Sequence, residues 1–508
     1  EKLTTLLGMY KAETLDEAYD ICYKLVLEGG AGHSAALYID PAEEEKITKF
    51  GLRMKAGRVI INQPTSFAGI GDLYNFDIAP SLTLGPGAVG HSAYMGNTNY
   101  EQLLDIKVLT MRKENMLWLQ LPKKVYFKTG CTPVALREMK EVYDFKRAFI
   151  ITDSTLYQLG ACDAIINQLR DSGIETAEFF DIRVDPQIQD AMKGLPKMHE
   201  FQPDVIIAVG GGSAIDTAKI MWIMYEHPEE AFLDMATIFL DIRKRIRFFP
   251  QMGKKAKLVC IPTTAGTGSE VTVAAVITDE ARNYKLSVLG PEISPTYAVL
   301  DPELIMTAPA SVAAACGVDA LIHAMESYIN TDANPFAMAM GEKAMELIGG
   351  NIRKFVARRN DPDAACAMML GSTFAGIAFA NNRLGDIHAM SHPVSAFFHV
   401  AHGVANAVLM PTIFEFNALA ADERYANIYQ YITGKEAGPD FVPQMLCDAL
   451  RQLNNDLGIP ACLADVGVTE DKIPQMAVDA MKSGNVMVNP RITTVKDVEA
   501  LYHKAMYK

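Results

Sequence analysis

Asp319 and His323 stand four residues apart in Gly317-Val-Asp-Ala-Leu-Ile-His-Ala-Met-Glu326, a stretch with helical periodicity. One helix face therefore presents a carboxylate and an imidazole together. Further along, His388, His392, His399 and His402 fall close together. Taken singly, each histidine reads as an ordinary hydrogen-bonded residue; clustered beside an Asp-x-x-x-His pair, they read as ligands. Two imidazoles from the later segment would complete a four-ligand site for a divalent cation. Mixed imidazole and carboxylate ligands suit zinc or ferrous iron better than magnesium or calcium, and the lack of a thiolate keeps iron a candidate.

Spacing narrows the choice of histidines without closing it. His388 and His392 are four apart and can share a helix face. His388 and His402 are fourteen apart, about 21 Å along an unbroken helix at roughly 1.5 Å per residue, too far for one ion. Pro393 disfavours the α region for His392, which predicts that the helix bends or ends there. His402 could then return from the following turn or helix start. Spacing alone slightly prefers His388 with His392, and both pairings stay open.

These residues need elements to hold them. Residues 1 to about 95 mix helix and strand patterns, with a helix over Thr14 to Glu28 ended by Gly29-Gly30, and strands over Ser34 to Asp40 and Gly57 to Asn62. The Gly-rich stretch Leu84 to His91 closes this block as a loop, and 96 to 121 reads as a connector. From about 122 to 305, strands and helices alternate as in an α/β sheet. Beyond 306 the pattern is helical, rich in Ala and Met, with no strand.

Three strands of the α/β block run into loops that suit a dinucleotide. The first, Asp204 to Val209, runs into Gly210-Gly-Gly-Ser213 and a helix over Ala214 to Met224. Glycines let backbone N–H groups approach a pyrophosphate, and the helix start adds partial positive charge. This departs from Gly-x-Gly-x-x-Gly, and such turns also serve plain packing. The second, Leu258 to Pro262, leads into Thr263, Thr264, Gly266, Thr267, Gly268 and Ser269. Two such loops in one sheet favour a ligand at the strand carboxyl ends. The third, Arg147 to Thr152, ends at Asp153. A carboxylate there could accept from a ribose 2′-hydroxyl and would repel a 2′-phosphate, favouring NAD over NADP; its plainer reading is a helix cap.

The net charge of −14 and pI near 5.3 argue against nucleic acid or an anionic membrane surface as partner. The basic run Arg243-Lys-Arg-Ile-Arg247 is isolated and reads as a solvated face. No run of apolar residues is expected to span a bilayer. Eight scattered cysteines without a Cys-x-x-Cys pair suit a reducing cytoplasm. Glu1 opens the chain without an initiator Met, inside an apparent element, so an upstream portion is expected.

The motifs Gly210-Gly-Gly-Ser-Ala-Ile-Asp-Thr-Ala-Lys219, Pro262-Thr-Thr-Ala-Gly-Thr-Gly-Ser-Glu-Val271, Gly317 to Glu326 and His388 to Ala405 together resemble the iron-containing alcohol dehydrogenases, over residues 122 to 508. Residues 1 to 121 resemble the end of a CoA-acylating aldehyde dehydrogenase half with its linker, on Gly69-Ile-Gly-Asp-Leu-Tyr-Asn75 and Ala79-Pro-Ser-Leu-Thr-Leu84. Gly85 to Gly90 departs from the Cys-Gly-x-Trp-Gly-Gly-like loop expected there. Both halves on one chain resemble the bifunctional aldehyde-alcohol dehydrogenases of fermentative microbes.

The resemblance implies an α/β Rossmann-like domain (122–305) followed by an all-α metal-binding domain (306–508), preceded by an α/β remnant of an aldehyde dehydrogenase domain (1–95) and a linker (96–121). It implies ferrous iron, with zinc possible, on Asp319, His323, His388 and His402, and His392 beside nicotinamide and substrate as the catalytic residue. NAD would lie on Asp153, Gly211, Gly212, Ser213, Asp216, Thr263, Thr264 and Ser269, with Phe379 in the substrate pocket. It further implies a small aldehyde or alcohol as substrate, acetaldehyde and ethanol first, and a homodimer that forms filaments in full-length relatives. Rival readings are a polyol dehydrogenase, a dehydroquinate-synthase-like enzyme on the same scaffold, or a catalytically idle filament subunit. The thiol nucleophile of the aldehyde half would lie upstream of Glu1, and Cys22 does not stand in its motif. This polypeptide alone is therefore expected not to oxidise acetaldehyde in a CoA-dependent reaction; acetyl-CoA formation at a rate above background would contradict that.

Overall fold

The computed structural model describes residues 8–29, 31–65, 108–111, 120–183, 186–230, 235, 250–279, 284–420 and 422–507. Two compact units divide them, residues 8–111 and residues 120–507. Outside the described residues lie the Gly69 to Asn75, Ala79 to Leu84 and Leu84 to His91 motifs and the basic run 243–247.

In the first unit, helix α1 (Leu15–Glu28) starts where the Thr14 side chain accepts the Glu17 N–H and stops at Gly29. Helix α2 (Glu44–Arg53) packs near it, with the Tyr19 and Phe50 rings 5.1 Å apart. Strands β1 (Gly32–Leu37), β2 (Ala56–Ile61) and β3 (Val108–Met111) form a parallel sheet in that order. The third strand falls in the expected connector.

The second unit begins with a six-stranded parallel sheet. Its strands are β4 (Lys124–Phe127), β5 (Arg147–Ile151), β6 (Glu175–Phe179), β7 (Val205–Gly210), β8 (Lys257–Pro262) and β11 (Tyr297–Leu300), ordered β4-β11-β8-β7-β5-β6. A separate antiparallel pair, β9 (Ala274–Asp279) and β10 (Tyr284–Leu289), precedes the last of them. Every residue of β7 is buried, the continuous apolar run that a parallel strand covered on both faces requires. Alternation divides the side chains: Ile206, Ala208, Leu258 and Cys260 enter one core, Val205, Ile207, Val209 and Val259 the other. Helices α3 (Thr132–Glu141), α4 (Ser154–Gln158), α5 (Asp163–Asp171), α6 (Ile188–Phe201) and α7 (Gly212–Glu226) supply the connections. The loops after β5, β7 and β8 consequently open at one end of the sheet, where such folds bind ligands.

After the short α8 (Pro302–Ile305), the described residues are helical with no strand. The order is α9 (Ala310–Ile329), α10 (Pro335–Ala357), α11 (Pro362–Ala380), α12 (Asp386–Phe398), α13 (His402–Asn417), α14 (Glu423–Thr433), α15 (Pro443–Asp456), α16 (Ile473–Ala480) and α17 (Val495–Met506). Side-chain caps from Asn334, Asp361, Asp422 and Thr494 start four of them.

Two expectations need correction. Helices α9 and α11 and the helical stretch His402–Ala420 are long and apolar enough by length and composition to cross a membrane. Within α9, every residue from Gly317 to Ile329 is buried by the surrounding helices, so its apolar character reflects a central position in the bundle. Nor does Pro393 end a helix: α12 runs through it to Phe398. A proline removes one hydrogen bond, but buried Ile387, Met390 and Val394 keep this helix seated in the core.

The loop after β8 ties sheet to bundle. Gly268 has φ +61°, and a Cβ there would meet the Gly376 Cα of α11 at 2.6 Å. Buried Lys219 of α7 donates to the Thr272 carbonyl, the Thr272 hydroxyl and the Ala274 carbonyl. Gly268→Ala combines a disfavoured backbone region with a collision against backbone, so a destabilisation of about 2–4 kcal/mol is expected. Chemical denaturation followed by tryptophan and far-ultraviolet signals would read it.

Candidate metal centre and nucleotide loops

Helix α9 carries Asp319, His323 and Glu326 on one face, all buried. Helix α12 brings His388 and His392, one turn apart, against it. The chain reverses at His399, whose φ of 54° places it in the left-handed region while its N–H caps the Ser395 carbonyl. Helix α13 then starts at His402. The reversal foreseen at Pro393 therefore occurs six residues later, and it lets an imidazole fourteen positions away return to the same point.

Four side chains converge there. Asp319 Oδ1 lies 3.6 Å from His388 Nε2, 3.8 Å from His402 Nε2 and 4.0 Å from His323 Nε2. Donor atoms of Asp319, His388 and His402 all fall within 4.8 Å of one another. A tetrahedral cation with bonds of about 2.0–2.2 Å has ligands about 3.3–3.6 Å apart, so a small inward movement closes this set on an ion. His392 stacks beside His402, ring centroids 5.4 Å apart, and sits 6.5 Å from the His388 ring. Phe379 stacks on His323 at 4.4 Å.

Electrostatics pull the members of this cluster in opposite directions. Burial raises the Asp319 carboxyl, but His323, His402 and His388 outweigh it and hold the group well below the ordinary carboxylate range. Burial pushes the His323 imidazole down to about 4 despite the pull of Asp319, leaving its lone pair available. Burial also lowers His388, yet the Glu326 carboxylate with Asp319 lifts it to about 9.

Glu326 and Asn406 are the two residues that sequence reasoning missed. His388 Nδ1 lies 2.5 Å from Glu326 Oε2, while Glu326 Oε1 accepts the Ile387 N–H at 2.7 Å. Gly385 leaves room for this carboxylate: a Cβ there would stand 2.8 Å from Oε1. Asn406, one turn after His402 on α13, reaches into the ligand cluster. The signal was helical spacing, since Glu326 follows His323 by three and Asn406 follows His402 by four.

At the carboxyl end of the sheet, the nucleotide candidates meet. A Cβ on Gly212 would strike Thr267 Cγ2 at 2.6 Å, and one on Gly211 would come within 3.1 Å of Thr264 Oγ1, so the two loops lie edge to edge. The Thr263 N–H donates to the Gly210 carbonyl. Gly211 caps α7 with no side-chain hydrogen bond, and Ser213 stands in the first turn. Asp153 caps α4 through Oδ1, which accepts from Thr155 and Leu156 N–H groups. Ser269 donates to Asp216, whose other oxygen accepts the Val276 N–H at 3.0 Å. That pair braces the loop from within.

A six-stranded parallel sheet with open loops is thus followed by a helical bundle that holds an Asp-His cluster. The iron-containing alcohol dehydrogenase model matches residues 122–302, and the C-terminal model of the same family matches residues 313–506. The chain belongs to the iron-containing alcohol dehydrogenase family. It is 39% identical to the bifunctional aldehyde-alcohol dehydrogenase of Escherichia coli strain K12, across 100% of this chain and 59% of that protein. The chain thus spans about three-fifths of the length of such relatives. It is 35% identical to the lactaldehyde reductase of the same organism, over 76% of this chain and 98% of that one. Among solved structures, a 1,3-propanediol oxidoreductase superposes with a TM-score of 0.71 and 32% identity, covering 77% of this chain and all of that one.

Glu326→Gln keeps the size and the bond to Ile387 but presents an amide N–H to His388 Nδ1. The ring must then carry its hydrogen on Nε2, the atom aimed at the cluster. Zinc affinity of the metal-stripped protein, read by chelator competition, is expected to fall about 10- to 100-fold.

Proposed function

We propose that this chain interconverts short-chain aldehydes and primary alcohols, acetaldehyde and ethanol first among them, using NAD(H) and a divalent cation, ferrous iron or zinc. The observation that carries this reading is the approach of ring nitrogens of His388, His402 and His323 to within 3.6, 3.8 and 4.0 Å of Asp319 Oδ1. When bound, the cation supplies Lewis acidity toward a carbonyl oxygen and the nicotinamide supplies the hydride.

The chain's own residues do the rest. One carboxylate among three imidazoles leaves a divalent centre net positive, which favours charge developing on oxygen during hydride transfer. Glu326 fixes the His388 tautomer so that Nε2 faces the centre. His392, half-buried and stacked on His402, is suited to pass a proton between the alcohol oxygen and solvent. Phe379 supplies an apolar wall beside His323. The Gly211-Gly212-Ser213 turn and Thr263-Thr264 offer N–H and hydroxyl groups to a pyrophosphate. Asp216 and Ser269 hold that loop in place, and Asp153 favours the unphosphorylated ribose of NAD. The same reading gives a homodimer in the cytoplasm, where eight free thiols would stay reduced.

His388→Ala is expected to lower NADH-dependent acetaldehyde reduction about 10³-fold, roughly 4 kcal/mol of barrier, with NADH binding unchanged. Elemental analysis should show the metal lost in parallel. Normal turnover by that variant would overturn the assignment. His392→Ala should keep its metal and slow turnover about 10²-fold, the scale of a lost proton-transfer group.

A further inference from the structure

His388, the ligand that Glu326 orients, sits in the first turn of its own helix. Helix α12 begins at Asp386, so His388 is its third residue. The first four N–H groups of a helix have no partner within it, and helices fray from their ends. A side chain just before the helix usually supplies an acceptor. Here that position is Gly385, which makes no such bond. A Cβ there would stand 2.8 Å from Glu326 Oε1 and 3.2 Å from Asn489 Oδ1. The chain gives up a local cap and admits two acceptors from elsewhere. Glu326 Oε1 accepts the Ile387 N–H, and Asn489 Oδ1 accepts the Asp386 N–H at 3.4 Å.

The second acceptor belongs to a short stretch, residues 489–493, that lies just before α17. Asn489 and Thr493 are both buried. The Thr493 hydroxyl donates to Asp386 Oδ2 at 2.5 Å, so this stretch holds Asp386 by backbone and by side chain. Asn489 also exchanges hydrogen bonds with Asn417, the last residue of α13: Oδ1 accepts at 3.1 Å and Nδ2 donates at 2.8 Å. Backbone groups fix which way the Asn489 amide points. The Asp386 N–H can only donate, and the Arg491 carbonyl, 2.8 Å from Nδ2, can only accept. One side chain thus joins the first turn of the His388 helix to the far end of the His402 helix.

We infer that residues 489–493 form a bracket for the metal centre: Asn489 and Thr493 pin the first turn of α12, so that Ile387 and His388 meet the two oxygens of Glu326 in register. The inference rests on the metal site argued above. Both oxygens belong to one rigid carboxylate, which accepts from Ile387 through Oε1 and faces His388 Nδ1 through Oε2. A first turn that unwinds loses both contacts together, and the imidazole then has no fixed direction. Asn489 and Thr493 act on the ligand through α12 and are positioning residues.

Zinc binding by the metal-stripped 508-residue chain, read by chelator competition, tests this, with the visible spectrum of the cobalt(II) form as a second readout. Thr493→Val keeps the shape and removes the donor to Asp386. Its zinc affinity is expected to fall about tenfold, with shifted cobalt bands. Thr493→Ser restores the hydroxyl and is expected to bind zinc within about twofold of the parent. Asn489→Leu is expected to lose about tenfold or more. Ile492→Ser, in the same stretch but 89% exposed, is expected to match the parent. Parental zinc affinity in Thr493→Val, even with a lowered melting temperature, would show that the stretch only stabilises the fold and would overturn the inference. A serine variant as weak as the valine one would do the same. The threonine pair decides the matter even where Asn489→Leu fails to fold. His402→Ala separates the two levels of argument. If it keeps parental affinity, the metal site is misread and the bracket falls with it; if it loses zinc while Thr493→Val does not, the site stands and only the bracket fails.

Discussion

A single buried negative charge organises this molecule. Asp319 is 3% exposed and sits in the middle of a helix whose neighbours are Val318, Ala320, Leu321 and Ile322. Moving a carboxylate into such surroundings costs several kcal/mol unless partners compensate. Three imidazoles and the Asn406 amide supply them, and each arrives from a different turn of chain. Holding those partners in place accounts for the buried position of α9, for the placing of His388 on α12 against Asp319 and Glu326, and for the start of α13 at His402. Glu326 extends the same logic outward by one bond, since a ligand ring that is free to rotate cannot compensate a fixed charge.

How much of this was readable depended on whether the information was local. Asp319 with His323, and His388 with His392, announce themselves because an α-helix puts residues four apart on one face. The α/β alternation was legible for a similar reason: β5, β7 and β8 are short continuous apolar runs ending in glycine, threonine or aspartate. The choice between His392 and His402 was not local. It turns on where the chain reverses, and Pro393 was the conspicuous signal while His399, noted in the sequence only as one of the clustered histidines, adopts the left-handed conformation that makes the turn. Proline's penalty is a single lost hydrogen bond, and the packing of α12 outweighs it. Asn406 and Glu326 were passed over because neither residue type advertises metal chemistry. Their meaning comes only from the atoms they face.

The apolar helices teach the converse lesson. Composition places α9 among segments long enough for a bilayer, yet from its middle onward it carries Asp319, His323 and Glu326. In a large protein core, a helix covered on all sides has the same average composition as one covered by lipid. The distribution of its polar residues, aligned on one face and each given a partner, is what separates the two environments.

The stretch from Thr263 to Thr272 then ties the Gly210–Ser213 turn to the helices of the bundle. Its first residues border the Gly210–Ser213 turn, through the Thr263 N–H and the tight fit of Thr267 against Gly212. At its middle, Gly266 passes so close to Cys316 of α9 that a Cβ would stand 2.8 Å from the cysteine Cβ. Gly268 presses on Gly376, and buried Glu270 accepts a hydrogen bond from Thr373, both on α11. Lys219, from the helix that opens at the glycine turn, fastens the far end at Thr272. One short loop is thus in contact with the candidate pyrophosphate turn, with the helix of Asp319 and with the helix of Phe379. Its glycines cannot be explained by turn geometry alone, because only one of the two in this loop, Gly268, has positive φ. They are small because three layers meet there. The separation between the Gly210–Ser213 turn and the Asp-His cluster is therefore set by packing in this loop.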